Sequence, residues 1–230
     1  MNYVHLVAGP TGAGKSEVAM NLADEHGAPV VVADRIQCYL DLPVTSARLD
    51  AEGRHHIAER TVTDGDYPTH EAAAALLRAV ELLIRNNEHV IVEGGSLSLL
   101  RRFAACRGRF PFQLDTRVLE PLDWSAHLTR LRARSEQMLR NGMLDEIAKA
   151  WQHQAQHAFV ASINGPEAVL AWCGETSTRP EDLPHAEEAE VAELAKRVAL
   201  VHFEHSYEQR DVFSQLFGRS HSPSLTVGDR

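Results

Sequence analysis

The chain has 230 residues, of which 44% are hydrophobic and 24% charged, and its formal net charge at pH 7 is −9. This composition excludes a disordered or collagen-like chain, and the acidic balance provides no general attraction to nucleic acid or anionic lipid. The 3 cysteines lack paired spacing, which argues against disulfides and structural zinc, and no run of about 18 apolar residues could span a membrane. Because a predicted strand starts at once, no signal peptide is expected, and the sequence predicts a soluble, cytoplasmic protein.

Apolar runs alternate with helical patterns in the first half of the chain. Residues 3–8, 29–33 and 89–93 predict strands, and their lack of polar alternation is typical of a parallel sheet covered on both faces. Residues 15–25 and 69–85 carry apolar side chains at helical spacing. The alternation predicts an α/β core with a parallel sheet flanked by helices.

The second half of the chain is predicted to be helical. One helix is expected over 123–140, ending at Asn141-Gly142, and others over 143–157 and 187–217. A stretch rich in Gly, Pro, Ser and Thr predicts a loop over 174–185. We therefore expect an α/β core over 1–120, a helical portion over 121–217 and a disordered polar tail over 218–230.

A glycine-rich loop follows the first predicted strand and opens the first predicted helix. Its sequence, GPTGAGKS at 9–16, matches the phosphate-binding pattern GxxxxGK[ST]. Backbone N–H groups in such a loop turn toward phosphate oxygens, and the helix N-terminus adds partial positive charge. Lys15 supplies a full charge, and the Ser16 hydroxyl can ligate Mg²⁺. The motif predicts a polyphosphate ligand and a P-loop NTPase-like fold.

Two acidic residues stand at the ends of the other predicted strands. Asp34 follows the second strand and Glu93 ends the third, so both are expected near the phosphate loop at the carboxyl ends of a parallel sheet. An Asp there could serve Mg²⁺, take a proton from a substrate, or cap a helix. Spacing alone leaves these alternatives open.

Several segments together resemble the isopentenyltransferase family, and in particular the adenylate dimethylallyltransferases, which are bacterial cytokinin synthases. The resemblance runs with gaps from about residue 3 to about residue 213. The segments that carry it are GPTGAGKS at 9–16, ADRIQC at 33–38, TSAR at 45–48, EGGSLSLL at 93–100, RARSEQML at 132–139 and HFEH at 202–205. The combination of DRIQC with EGGSLSLL is much more specific than the glycine loop alone.

The resemblance implies transfer of a prenyl group from its diphosphate, DMAPP or the hydroxylated HMBDP, to the N6 amine of AMP, ADP or ATP, with Mg²⁺ as cofactor. It implies that Asp34 is the base and that Lys15, Thr11 and Arg134 assist the departing diphosphate. The residues it assigns to the diphosphate are Gly9, Thr11, Gly12, Ala13, Gly14, Lys15, Ser16, Ser46, His202 and His205. Those assigned to the acceptor are Asp34, Arg35, Ser96, Ser98 and Asn164. Ser96 and Ser98 could equally cap a helix.

The two histidines of the last predicted helix follow an apolar stripe. Val191, Leu194, Val198, His202 and His205 advance at helical period, so both histidines are expected to point where the core residues point. They could be a buried pair or, less plausibly without a third ligand, a metal pair. In the family the position of His205 lies near the prenyl tail, and a polar residue there goes with use of a hydroxylated donor.

The sequence departs from the family pattern at three positions. Asn164 and Pro166 stand in INGPE at 163–167, where the family has Ile-Asp-Gly-Tyr-Arg, and His202 replaces a Tyr that reaches the diphosphate. Asn164 keeps an acceptor oxygen but loses the charge, and Pro166 is expected to shorten the following helix.

Three other functions remain in competition with adenylate prenylation. A small-molecule kinase would use the loop for ATP, although no arginine-rich lid is evident. A tRNA dimethylallyltransferase-like enzyme would need a basic surface, which the charge of −9 opposes. A non-catalytic nucleotide switch has no support. We expect small-molecule substrates, no membrane or nucleic-acid partner, and a monomer or small homo-oligomer.

Overall fold

Five parallel strands form one sheet in the computed structural model, which describes residues 2–218. The spatial order is β3-β2-β4-β1-β5. The strands are β1 (Tyr3–Ala8), β2 (Val30–Val32), β3 (Arg54–His56), β4 (His89–Gly94) and β5 (Gln113–Val118). All four ladders are parallel, which confirms the prediction made from the uninterrupted apolar runs.

Helices cover both faces of the sheet. They are α1 (Lys15–His26), α2 (Thr69–Leu83), α3 (Leu97–Ala105), α4 (Trp124–Met138), α5 (Leu144–Trp151), α6 (His157–Val160), α7 (Pro166–Thr176) and α8 (Glu188–Phe217). On one face Ala19 and Ala23 of α1 pack against Val7 and Ile91. On the other face α2, α3 and the end of α8 cover the alternate strand residues. The predicted α/β, P-loop NTPase-like fold with a C-terminal helical portion is thus confirmed.

Two strands were not anticipated from the sequence, and the helix after β4 was implied only by its capping residues. β3 has only three residues, and β5 alternates exposed and half-buried positions as an edge strand that is polar on one side. α3 is a nine-residue helix that directly follows β4. Short or polar elements such as these lack the long apolar runs that made β1 and β4 predictable.

The predicted helix and loop bounds need correction in the second half. The helix expected over 143–157 ends at Trp151. The loop expected over 174–185 is wrong, because α7 continues to Thr176 and Pro180–His185 forms a 3₁₀ helix. Pro166 does not shorten α7; it is the first residue of that helix, where a missing N–H costs nothing.

The predicted break at Asn141-Gly142 is present. α4 ends at Met138, and the segment Leu139–Met143 joins it to α5 through Gly142, whose φ is +114°. That positive φ is strained for a residue with a Cβ. The chain therefore bends between two helices at the position where the sequence predicts an end.

α8 belongs to two cores at once. Its Leu194 and Val198 pack among α5 and α7, while Phe213 lies in the apolar layer against the sheet. The division of the chain at residue 120 stays a prediction. Residues 219–230 of the expected tail lie outside the described residues, and none of the helices described here is both long and apolar enough to cross a membrane.

Candidate active site

The phosphate loop closes tightly between β1 and α1. Gly12 and Gly14 have φ of +76° and +83°, a region that glycine enters at little cost. Gly14 precedes α1 and provides no side-chain cap, so the first N–H groups of the helix are available to an anion. The local sequence therefore builds the anion cradle that its motif predicts.

A cavity of about 490 Å³ opens at the carboxyl ends of the strands. Fourteen of the predicted site residues line it: Thr11, Gly12, Gly14, Lys15, Ser16, Asp34, Arg35, Ser46, Ser96, Ser98, Arg134, Asn164, His202 and His205. Gly9 and Ala13 do not. Gly9 is buried, and the Ala13 N–H donates to the carbonyl of Pro10 at 3.2 Å.

Lys15 extends back along the phosphate loop. Its Nζ donates to the carbonyl of Pro10 at 2.7 Å. Burial lowers the pKa of Lys15 to about 8, against the opposing effect of the carboxylates of Glu93 and Asp34. Keeping the buried ammonium charged therefore costs free energy, and a bound phosphate would offset that cost through its negative charge.

Glu93 lies at the floor of the site in a buried ion pair. Its side chain is paired with Arg54 of β3, and the Ser16 hydroxyl donates to its Oε1 at 3.3 Å. Among the described residues, Oε2 of Glu93 is buried with no hydrogen-bond partner. Sequence reasoning placed Glu93 here but missed Arg54, which only the pairing of β3 beside β2 brings within reach.

Asp34 lies at the wall of the cavity and is held by a local hydrogen bond. Its Oδ1 accepts the N–H of Ile36 at 2.9 Å, and the residue lines the cavity. The N-cap of the 3₁₀ turn Ile36–Cys38 is Arg35 and not Asp34, so the capping alternative is not met, while the roles of base and Mg²⁺ ligand stay predictions. Arg35 is engaged elsewhere, because it donates to the carbonyl of Tyr67 at 2.6 Å and to Asp66 at 3.1 Å.

Arg134 of α4 faces the cavity from the helical side. Within residues 2–218 no hydrogen bond or ion pair to a protein acceptor is found for its guanidinium, although it lies close enough to Lys15 to oppose its protonation. Two neighbouring cations with an unfilled donor fork favour an anionic ligand between them.

The two histidines of α8 behave differently from the apolar residues before them. Val191, Leu194 and Val198 are buried, whereas His202 and His205 line the cavity. Burial lowers the pKa of His202 to about 4, with the Arg134 cation acting in the same direction. Burial also lowers the pKa of His205, which lies 3.5 Å from Glu208.

Hydrogen bonds that sequence reasoning missed stabilise the loops at the edge of the cavity. Glu146 of α5 accepts the N–H groups of Val44 and Thr45 at 2.8 and 2.7 Å, which fixes the loop that presents Ser46. The Ser46 hydroxyl donates to the carbonyl of Leu42 at 2.7 Å. Ser96 precedes α3 without a side-chain cap bond and lies 3.4 Å from the Ser98 hydroxyl, so the capping alternative is not supported.

Gln209 of α8 links the two glycine loops. Its Oε1 accepts the N–H of Thr11 at 3.2 Å, and its Nε2 donates to the carbonyl of Gly95 at 2.7 Å. A Cβ on Gly95 would stand 2.9 Å from that Nε2, so a larger residue would displace the Gln209 side chain from this contact. No local signal in the sequence marks Gln209.

Known proteins with the same pattern define the family. The sequence profile described as Isopentenyl transferase matches residues 2–222, and the chain belongs to this family. An adenylate dimethylallyltransferase of Rhodococcoides fascians is 38% identical over 97% of this chain and 91% of its own length. One from Agrobacterium fabrum is 30% identical over 92% of this chain and 91% of its own.

Solved structures confirm the fold. A tRNA delta(2)-isopentenylpyrophosphate transferase from Staphylococcus epidermidis superposes with a TM-score of 0.74 at 11% identity, covering 96% of this chain and 92% of that one. A full-length tRNA isopentenylpyrophosphate transferase from Bacillus halodurans gives 0.72 at 12% identity, with 96% and 89% covered. At such identity the likeness concerns the architecture alone.

Proposed function

We propose that this protein transfers a dimethylallyl group, or a hydroxylated prenyl group, from its diphosphate to the N6 amine of AMP, ADP or ATP. The observation that carries the proposal is that Lys15 and Asp34, a cation suited to a diphosphate and a carboxylate suited to a proton, line the same cavity. Its 490 Å³ lies within the range of pockets that hold small molecules. The two named relatives support the choice of an adenine nucleotide as acceptor.

The reaction joins the N6 nitrogen to C1 of the prenyl group as the bond from C1 to the diphosphate oxygen breaks. Asp34 takes the proton that the amine loses, and the diphosphate leaves with the bonding electron pair. Lys15, Arg134, the loop N–H groups and Thr11 stabilise the charge that develops on it. His202 contributes its imidazole as a neutral hydrogen-bonding group, since its pKa lies near 4.

The remaining polar residues of the cavity orient the two substrates. Ser46 serves the diphosphate side, while Ser96, Ser98 and Asn164 serve the nucleotide. Arg35, which is bonded to Tyr67 and Asp66, forms the cavity wall beside them. Asn164 offers both a carbonyl acceptor and an amide donor, so it can meet an adenine edge without a charge. The prenyl carbon becomes electron-poor as the diphosphate leaves, so the reaction requires a site that excludes water around it.

Mg²⁺ fits the donor set beside Ser16. The Ser16 hydroxyl and the unpartnered Oε2 of Glu93 are oxygen ligands of the hard type that this ion prefers. The pairing of Glu93 with Arg54 limits its charge, so Ser16 and the substrate phosphates would be the main ligands. Bound there, Mg²⁺ would neutralise charge on the departing diphosphate.

His205 is proposed to influence the choice of donor. It lines the cavity half-buried and lies beside Glu208, so it can meet a hydroxyl group at the end of a prenyl chain. Competition between DMAPP and its hydroxylated analogue tests this with His205→Leu. We expect the variant to shift toward DMAPP, and an unchanged preference would refute the role.

We also propose a cytoplasmic location and a monomer or small homo-oligomer. Cys38, Cys106 and Cys173 are free thiols in the structure, which fits a reducing compartment. Both proposed substrates are charged metabolites.

Mass spectrometry of products from purified protein, Mg²⁺ and DMAPP tests the function, with AMP, ADP, ATP and tRNA as parallel acceptors. We expect adenine nucleotides heavier by one prenyl unit, with Asp34→Asn as a control that forms far less product. Phosphoryl transfer from ATP without any prenylated product would replace the proposal with a kinase, and a product on tRNA alone would replace it with a tRNA enzyme.

A further inference from the structure

Three histidines converge at the end of the sheet opposite the cavity. His5 lies in β1, His89 begins β4 and His26 ends α1. One ring nitrogen from each lies within 4.8 Å of the others, and all three residues are half-buried. His5 and His89 share the sheet face that α1 covers, so the fold, and not proximity in sequence, creates the cluster. None of the three lines the cavity.

The three rings form a close stack. Ring centroids are 4.3 Å apart for His26 and His89 and 4.9 Å for His5 and His26, with interplanar angles of 11° and 7°. Nε2 of His5 lies 2.9 Å from Nδ1 of His89. Three imidazole nitrogens this close together form a donor set of the kind that transition metals take.

A carboxylate stands behind one ring of the cluster. Asp115 is the register partner of His5 on β5, and its Oδ2 lies 3.3 Å from Nδ1 of His5. With its proton on Nδ1 toward Asp115, His5 accepts the Nδ1–H of His89 through its Nε2 lone pair. A bound metal would replace this hydrogen bond, and His89 would then carry its proton on Nε2. This carboxylate–histidine arrangement is the one that orients ligands in metal sites.

We propose that His5, His26 and His89 form a binding site for a divalent transition metal of the zinc type. Nε2 of His5, Nδ1 of His89 and one ring nitrogen of His26 are the three protein ligands, and water completes a tetrahedral site. Tetrahedral bonds of about 2.0–2.1 Å to zinc set ligand nitrogens about 3.3 Å apart. Nε2 of His5 and Nδ1 of His89, which lie 2.9 Å apart, would therefore separate slightly, and the His26 ring would turn its nitrogen toward the ion. His26 is the ring best placed to move, because it ends α1 next to Gly27.

The site differs in ligand chemistry from the oxygen-rich region around Ser16. Three imidazoles favour Zn²⁺, Ni²⁺ or Cu²⁺, whereas hydroxyl and carboxylate groups favour Mg²⁺. A bound ion would connect the end of α1 to β1 and β4. Because the unfolded chain has no such site, the ion would stabilise the folded state.

Zinc titration of tag-free, chelator-treated protein against a chromophoric zinc chelator tests the site. We expect one ion per chain, with affinity at least tenfold lower in His26→Gln and His89→Gln. Asp115→Asn is expected to weaken binding about 10–100-fold, as second-layer changes do. His70→Gln, at an exposed position outside the cluster, is the matched control and should bind as the wild type does.

Thermal unfolding provides an independent readout. Zinc should raise the midpoint of the wild type and of His70→Gln but not that of His26→Gln, a change at a helix end that leaves the core intact. Equal zinc affinity in the wild type and the His26→Gln, His89→Gln double variant would overturn the proposal. So would a zinc-dependent shift that persists in His26→Gln.

Discussion

At the scale of single residues, the site keeps charged side chains in a buried environment that disfavours their charged forms. Lys15, Arg134 and the loop N–H groups concentrate positive potential at one end of the cavity, while Asp34 and Glu93 place carboxylates nearby. Such an arrangement is costly without a ligand and favourable with an anion between the cations. The predictions at this scale therefore concern protons and charge.

Asp34→Asn should lower prenyl-transfer turnover by about 10²-fold or more, because the amide cannot accept the proton of the N6 amine. The Asn oxygen can still accept the N–H of Ile36, so the turn should persist. Single-turnover rates measure the loss, and pyrophosphate binding should stay close to that of the wild type. A variant with unchanged turnover would remove Asp34 from the role of base.

The pKa of Lys15 near 8 predicts that pyrophosphate affinity falls as the pH rises above about 8, since only the ammonium form attracts the anion. The fall should approach tenfold per pH unit. Calorimetric titrations from pH 7 to 9.5 measure it. Lys15→Arg stays charged throughout and serves as the control for ionisation of pyrophosphate itself; an identical pH profile in the two proteins would contradict the assignment.

His202 predicts a loss of stability in mild acid. Its pKa is about 4 in the folded state against an ordinary value of 6.5, so between these values the unfolded chain binds more protons and the free energy of unfolding falls as pH falls. The contribution is about 2 kcal/mol between pH 7 and 5. Urea unfolding should show a smaller decrease in His202→Gln than in the wild type. Equal decreases would show that His202 is not held neutral.

At the scale of elements, α8 does more than cover the sheet. Leu194 and Val198 anchor it among α5 and α7, its middle turns line the cavity, and Gln209 fastens it to the phosphate loop and to Gly95. The position of the phosphate loop therefore depends on a helix almost 200 residues later in the chain.

Gln209→Leu tests this connection. The change leaves the Thr11 N–H and the Gly95 carbonyl without their partner, at a cost of about 1–3 kcal/mol in the free energy of unfolding. We also expect weaker pyrophosphate binding, measured by calorimetry. Gln152→Leu, at an exposed position, is the control; if the two variants lose the same stability and affinity, Gln209 has no special role.

At the scale of the whole molecule, the charge of −9 bears on the acceptor. A protein that binds tRNA needs a basic surface to release counterions from the phosphates, and this composition opposes one. The tRNA enzymes that share the architecture do so at 11–12% identity, which leaves surface chemistry unconstrained. The fold therefore does not select the acceptor, but the charge favours a free nucleotide.

This balance predicts that tRNA is not a competitive acceptor. With AMP and unmodified tRNA in one reaction at about 0.15 M salt, where surface charges are partly screened, prenyl groups should appear on the nucleotide alone. Nucleoside analysis of the recovered tRNA measures how much of it has been prenylated. Formation of prenyl adenosine in tRNA at a rate comparable to prenylation of AMP would contradict the prediction. A reaction with bovine albumin in place of the protein controls for background.

The sequence by itself determined the elements that depend on local patterns. The apolar runs of β1 and β4, the GPTGAGKS loop and the break at Gly142 are each encoded within a few neighbouring residues, so motif and periodicity predicted them. Most of the predicted site residues also line one cavity, because the carboxyl ends of parallel strands converge.

Only the tertiary structure decided which distant residues meet. Arg54 reaches Glu93, Glu146 fixes the loop of Ser46, and Gln209 joins two glycine loops, each through a pairing across many residues. The histidine cluster arises in the same way, from the register of β1 with β4 and the packing of α1. Such contacts depend on strand order and helix packing, which no local pattern in the sequence records.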